Sequence, residues 1–203
     1  TPLARRLTAL ADAELILKGP FSRRTCTLPA LPAGVSPALI SFVASRWLGV
    51  NPLVVAAGLP HPPSFPHLRL ELSSRGPAAC ISTGHAMDLS RVHSLWERGF
   101  SMGLKLQRPI VIAECVPGGT TTAHAVLCGL GLSVENLISG SVRYPPIALK
   151  KDLVERGLRA ACLDLNSDPK LLLAAIGDPF QAVAVGLLLG ARASGNQVLL
   201  GGG

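Results

Sequence analysis

Aromatic side chains are scarce in this chain: two tryptophans, one tyrosine and five phenylalanines make up 4% of its 203 residues. A core must therefore be built from Leu, Val and Ala, and a hydrophobic share of 48% is ample for one. Long apolar runs are missing as well. No stretch reaches the roughly 18 uncharged apolar residues of a membrane span, and Asp178 and Arg192 bracket the apolar run 182–191 too closely to allow one. The first residues, with Arg5, Arg6, Asp12 and Glu14, lack a signal-peptide pattern. A soluble, cytoplasmic protein without a membrane partner is expected, despite a mean hydropathy of +0.42. Cysteine is sparse and scattered: five residues, odd in number, with no CxxC and no Cys/His metal spacing. A disulfide framework and a zinc site are both disfavoured, and most of these thiols are expected to be buried. His61, His67, His85 and His93 have no partner at ligand spacing, so neither a metal nor a cofactor is expected. Positive charge is in excess (+7, with a pI near 9.7), but Arg23–Arg24 and Lys150–Lys151 are pairs, not tracts. That pattern argues against nucleic acid as a partner and suits a small phosphate-bearing molecule.

What is present concentrates between Pro109 and Leu132. Pro109–Ala113 is a short β-branched apolar run, the pattern of a strand buried on both faces. Glu114 stands where that strand runs out. Pro117, Gly118 and Gly119 break it, and Thr120 or Thr121 can cap a helix continuing through Ala123 to Leu130. Strand, acid, glycine turn and helix start together make an anion cradle, because unpaired N–H groups and the positive helix end converge where no Cβ intervenes. The run has no Lys after its glycines and no GxGxxG, so it is neither a P-loop nor a dinucleotide fingerprint.

Around it the pattern predicts alternating elements. Strands are expected at Leu15–Leu17, Pro52–Ala57, Ala79–Ser82 and Val198–Leu200. Helices are expected from Ser36–Pro37 to Trp47, from Asp88 to Gly99, from Ile147 to Cys162, from Asp168–Pro169 to Ile176 and from Phe180 to Ala193. Residues 21–34, 59–66 and 136–146 read as loops. Alternation of this kind implies an α/β fold: three α/β/α layers on a mostly parallel, Rossmann-like sheet, in one domain spanning 1–203. Ligands of such sheets sit outside the carboxyl ends of the strands, where Glu114 lies. A final strand that stops at a glycine turn, and an abrupt start, suggest an internal piece of a longer protein.

With these residues laid out, the chain resembles the nicotinate-nucleotide–dimethylbenzimidazole phosphoribosyltransferase family of cobalamin biosynthesis. It is most similar to a less characterised archaeal and cyanobacterial branch in which Glu-Cys-Val-Pro-Gly-Gly-Thr-Thr-Thr recurs. Better-studied members carry Gly-Glu-Met-Gly-Ile-x-Asn-Thr-Thr there, so Glu114, Thr120 and Thr121 match the Glu and Thr-Thr. Ala86–Met87 before a helix, Lys150 through Glu155–Arg156, and the segment 173–200 follow in the family's order. The Met-Gly-Ile-x-Asn segment is replaced by Cys115-Val116-Pro117-Gly118-Gly119. The resemblance implies a homodimeric glycosyltransferase that moves 5-phosphoribosyl from nicotinate mononucleotide to a benzimidazole-type base, giving α-ribazole phosphate. For that chemistry Glu114 is expected to be the catalytic carboxylate, orienting the ribose or stabilising its charge, with Asp178 as helper, and Gly118, Gly119, Thr120, Thr121, Thr122, Lys150 and Gly177 are the candidate substrate- and phosphate-binding residues. The resemblance places the family's general base in a C-terminal part without counterpart here. A homologue that binds nucleotide or base without catalysis is the alternative.

Overall fold

The structure, a computed structural model, describes residues 6–28, 36–134, 137–138, 140, 144–164 and 166–201. The expected loops at 21–34 and 136–146 fall partly outside these residues. Chain contacts divide into two compact units, one comprising Thr1–Gly76 with Cys115–Pro117, the other Pro77–Glu114 with Gly118–Gly203.

In the first unit, helix α1 spans Thr8–Lys18, where a strand at Leu15–Leu17 was expected. The apolar triplet is too short to distinguish the two periods; the wider spacing of the buried residues Leu10, Ala11, Glu14 and Leu15 is helical. Glu14 decides the matter. Its carboxylate is fully buried and accepts from Lys18 Nζ one turn on (2.6 Å), from the Thr25 amide (2.8 Å) and hydroxyl (3.0 Å), and from the Cys26 amide (3.4 Å). Burial by itself would raise its pKa, but these donors hold it down at about 2. Helix α2, Pro37–Trp47, starts as expected: Ser36 Oγ accepts the Ala38 amide at 3.1 Å and Pro37 occupies the first turn. Strands β1 (Val55–Ala56) and β2 (Leu68–Arg69) pair in parallel. The expected strand at Pro52–Ala57 contracts to β1, and the proline-rich segment after it is irregular, as its composition requires.

The second unit holds α3 (Leu89–Leu104), β3 (Ile110–Ala113), α4 (Gly119–Gly129), α5 (Ile147–Ala161), α6 (Pro169–Ile176), α7 (Pro179–Ala193) and β4 (Val198–Gly201). Helix α3 passes through Gly99, where its end was expected, because that glycine is a contact and not a stop. Gly99 and Gly103 lie against the α7 backbone, and Gly186 and Gly190 against the α3 backbone. A Cβ at Gly99 would strike the Val183 carbonyl, and one at Gly186 the Trp96 carbonyl. The expected strand at Ala79–Ser82 is instead a loop leading into a 3₁₀ turn at Ile81–Thr83. The extended residues Ala86 and Met87 pair with the last carbonyls of α6, Ala175 (3.0 Å) and Ala174 (2.8 Å). Ile81, Ala125, Val154, Leu172, Ala175 and Ile176 form a buried cluster joining that turn to α4, α5 and α6.

Strands β3 and β4 run parallel, Ile110 opposite Val198 and Ala113 opposite Gly201. The fold is thus a mixed helix and sheet structure whose sheets are parallel, as the alternation predicts. Among the described residues each sheet has two strands. The expectation of a β3 buried on both faces is not met within this chain: Val111 is 65% exposed and its partner Leu199 64%. Among the described residues no helix is long and apolar enough to cross a membrane.

Candidate functional site

Strand β3 delivers Glu114 to its carboxyl end, where the side chain is exposed. Four residues on, Gly118 takes a left-handed conformation (φ 83°) and stands as N-cap of α4, with no side chain capping the helix. A threonine cap was expected; the helix instead begins at Gly119, one turn earlier, so that Thr120, Thr121 and Thr122 all lie in its first turn. Glycine adopts this left-handed conformation without strain, so the chain turns directly from loop to helix, and having no side chain it supplies no capping oxygen of its own.

The consequence for the cradle is specific. The amides of Thr121 and Thr122 fold inward onto the Gly118 carbonyl (3.0 and 3.4 Å). Those of Gly118, Gly119 and Thr120 have no backbone or side-chain partner among the described residues. The helix start therefore offers three donors, not five, together with the partial positive charge of its end. Lys150, in the first turn of α5, reaches across to donate to Thr120 Oγ1 at 2.7 Å. The ammonium of Lys150 is half-buried, and burial lowers its pKa. A cation, a hydroxyl and three amides thus meet at the first turn of α4.

The second acidic residue lies between α6 and α7. Asp178 is 7% exposed and caps α7 in a reciprocal box: its Oδ1 accepts the Gln181 amide (3.0 Å), and Gln181 Oε1 accepts the Asp178 amide (3.1 Å). Burial pushes its carboxyl up to about 6; the Gln181 amide opposes the rise and the negative charge of Glu114 adds to it. Of the two carboxyls expected to act together, Asp178 thus feels the charge of Glu114. Gly177 is different: its amide caps α6 by donating to the Leu173 carbonyl (2.9 Å), so its N–H is turned inward and not toward a ligand.

Cys115, a thiol within the loop between β3 and α4, lies in the first unit. Its Sγ donates to Asp12 Oδ2 (3.2 Å), while Ser36 Oγ donates to the other oxygen, Oδ1 (2.6 Å). Nothing local marks Asp12 as a partner of a residue so distant in sequence. The expectation of mostly buried thiols fails: Cys80, Cys115 and Cys162 are exposed, and Cys26 and Cys128 are half-buried.

A carboxylate at a strand end and, four residues on, a cationic, amide-rich helix start are groups of the kind that a phosphorylated sugar would need. Residues 37–203 match the model of a family described as Phosphoribosyltransferase. A UPF0284 protein of Prochlorococcus marinus (strain MIT 9313) is 66% identical over 203 residues, covering 100% of this chain and 50% of the relative. A UPF0284 protein of Parasynechococcus marenigrum (strain WH8102) is 58% identical over 203 residues, covering 100% and 51%. One from Microcystis aeruginosa (strain NIES-843) is 40% identical over 205 residues, covering 100% and 55%. The chain spans about half the length of the curated relatives it matches.

Proposed function

Because the chain belongs to this phosphoribosyltransferase family, we propose that the full-length protein moves 5-phosphoribosyl from nicotinate mononucleotide to a benzimidazole-type base, producing the α-ribazole phosphate of the cobalamin lower ligand. The observation that carries this reading is the Lys150–Thr120 bond at the helix start beside Glu114. The 5′-phosphate lies on the Gly118, Gly119 and Thr120 amides and draws Lys150 from Thr120. Its second negative charge is what one half-buried ammonium and a helix end balance together.

In the reaction the bond between C1′ and the pyridinium nitrogen breaks, and its electron pair leaves with nicotinate. The ribose then carries positive charge, which the carboxylate of Glu114 stabilises. The incoming base attacks C1′ through one nitrogen and sheds the proton on its other nitrogen to a carboxylate. The resemblance puts that proton acceptor in the part of the relatives beyond this chain. Asp178, buried and raised in pKa by burial and by the charge of Glu114, acts as helper to Glu114. Both units are read as parts of one transferase domain, a reading supported by a family match that runs through residues of each. Its sheet is completed to three α/β/α layers by further strands of the full-length protein, which is cytoplasmic and acts as a homodimer.

The test is turnover of nicotinate mononucleotide with dimethylbenzimidazole by full-length protein and its Glu114→Gln variant. The expected loss is about tenfold or more in turnover, with little change in nucleotide affinity. Near-normal turnover in the variant overturns the role of Glu114. The Cys115–Gly119 departure from the better-studied loop favours a second reading, a binding protein without catalysis. Calorimetric binding of the nucleotide with no product formed would select it.

A further inference from the structure

Lys150 is set in place at both ends of its side chain. At the backbone end, the pair Pro145–Pro146 leads into α5 with φ fixed by the proline rings, and the Lys150 amide donates to the Pro146 carbonyl at 3.0 Å. At the other end the ammonium donates to Thr120 Oγ1 on α4. Beside that ammonium lies Gly140, in the segment before α5 where the sequence predicts only a loop. A Cβ on residue 140 would stand 3.3 Å from Lys150 Nζ, 3.5 Å from Pro145 Cβ and 3.8 Å from Lys150 Cε.

Those distances say which group would give way. Non-bonded heavy atoms rest at about 3.5–4.0 Å, so the approaches to Pro145 and to Cε are ordinary, and the one to Nζ is tight. Pro145 is a rigid ring, whereas the end of a lysine side chain turns about several bonds. A side chain at 140 is therefore accommodated by the ammonium, which leaves the place it holds at Thr120. A charge-assisted N–H···O bond spans only about 2.7–2.9 Å, so a shift of a few tenths of an ångström is enough to weaken it.

From this we infer that Gly140 is a positioning residue: by carrying no side chain it leaves Lys150 Nζ where one phosphate group can reach it together with the Gly118, Gly119 and Thr120 amides. The inference rests on the proposed function in one respect, that the anion held at the start of α4 is a phosphate group.

Calorimetry on the full-length protein with inorganic phosphate as probe tests this, alongside steady-state turnover of nicotinate mononucleotide. Lys150→Met is expected to weaken phosphate binding about tenfold, the worth of one hydrogen bond to a charged group. Gly140→Ala weakens it about threefold, and the bulkier Gly140→Val about tenfold. In the Lys150→Met background neither substitution at 140 costs anything further, because the ammonium that they displace is gone. In turnover the loss falls on the KM for the nucleotide with kcat nearly kept, as befits a residue that acts on binding and not on the bond that breaks. Wild-type phosphate affinity in Lys150→Met or Gly140→Val, or a loss confined to kcat, overturns the proposal. So does an equal loss from Gly140→Ala in the Lys150→Met background, which is what a merely structural glycine would show. Absence of turnover by the wild type, with the phosphate results as expected, would overturn the transferase reading alone.

Discussion

Asp178 shows how one side chain serves a helix and a charge at once. Its carboxyl is held at about 6 in the folded chain against an ordinary 3.8. A carboxyl that binds its proton more tightly when folded stabilises the fold while protonated. That contribution is complete below about 3.8 and is lost as the pH rises through about 6. Asp178→Asn keeps an oxygen for the Gln181 amide but cannot ionise. Denaturant unfolding of the variant is therefore expected to lack the fall in stability that the wild type shows across this window; the same fall in both would assign it to another group. That Glu114 ends a strand and that a helix begins near Gly118, Gly119 and Thr120 was legible in the sequence, because a strand end followed by Pro-Gly-Gly-Thr has few conformations open to it; that Lys150 meets Thr120 was not fixed by any local pattern. The inward turn of the Thr121, Thr122 and Gly177 amides was not legible, since it depends on which residue begins the helix. Nor could the pairing of Cys115 with Asp12 be read from residues so far apart in the chain.

At the scale of elements, the crossing of α3 and α7 rests on absent side chains. Gly99, Gly103, Gly186 and Gly190 let each backbone rest against the other, and a methyl group at Gly186 would meet the Trp96 carbonyl. Neither helix can give way without disturbing the other, because both are in contact along this whole stripe. Gly186→Ala is expected to cost about 1–3 kcal/mol of stability, measured by thermal or denaturant unfolding of the full-length protein; wild-type stability would mean that the helices slide apart freely. Spacings of four between glycines were visible in the sequence, but Gly99 reads equally as a helix end, and only packing separates the two. The last turn of α1 reads as a strand for a related reason. Leu15–Leu17 is apolar in either conformation, and the helical choice is made by Glu14, which reaches Lys18 one turn ahead and the backbone of Thr25 and Cys26. Where a cap or proline fixed a boundary locally, as at Ser36–Pro37, Asp168–Pro169 and Asp178–Pro179, the sequence located the helix start to within a residue.

At the scale of the whole molecule, the relatives' length and the bare faces of β3 and β4 bear on the same question. Parallel strands are stable when both faces are covered, and two alone are marginal. In the full-length protein the amides of Ile110–Ala113 and Val198–Gly201 are expected to exchange with solvent as slowly as those of the Ile81–Ile176 core, with Val111 and Leu199 covered. Rapid exchange there would show that the additional residues of the longer protein do not complete this sheet. A three-layer arrangement was inferred from alternation alone, and alternation cannot say which segments supply the covering layers. The left-handed Gly118 carries a last consequence. Most helices bring their own lid for the first turn; among the described residues this one has none, and three of its donors are open to an outside oxygen. An arriving phosphate would thus finish the secondary structure as well as occupy the site, so that recognition and the local ordering of α4 become a single event.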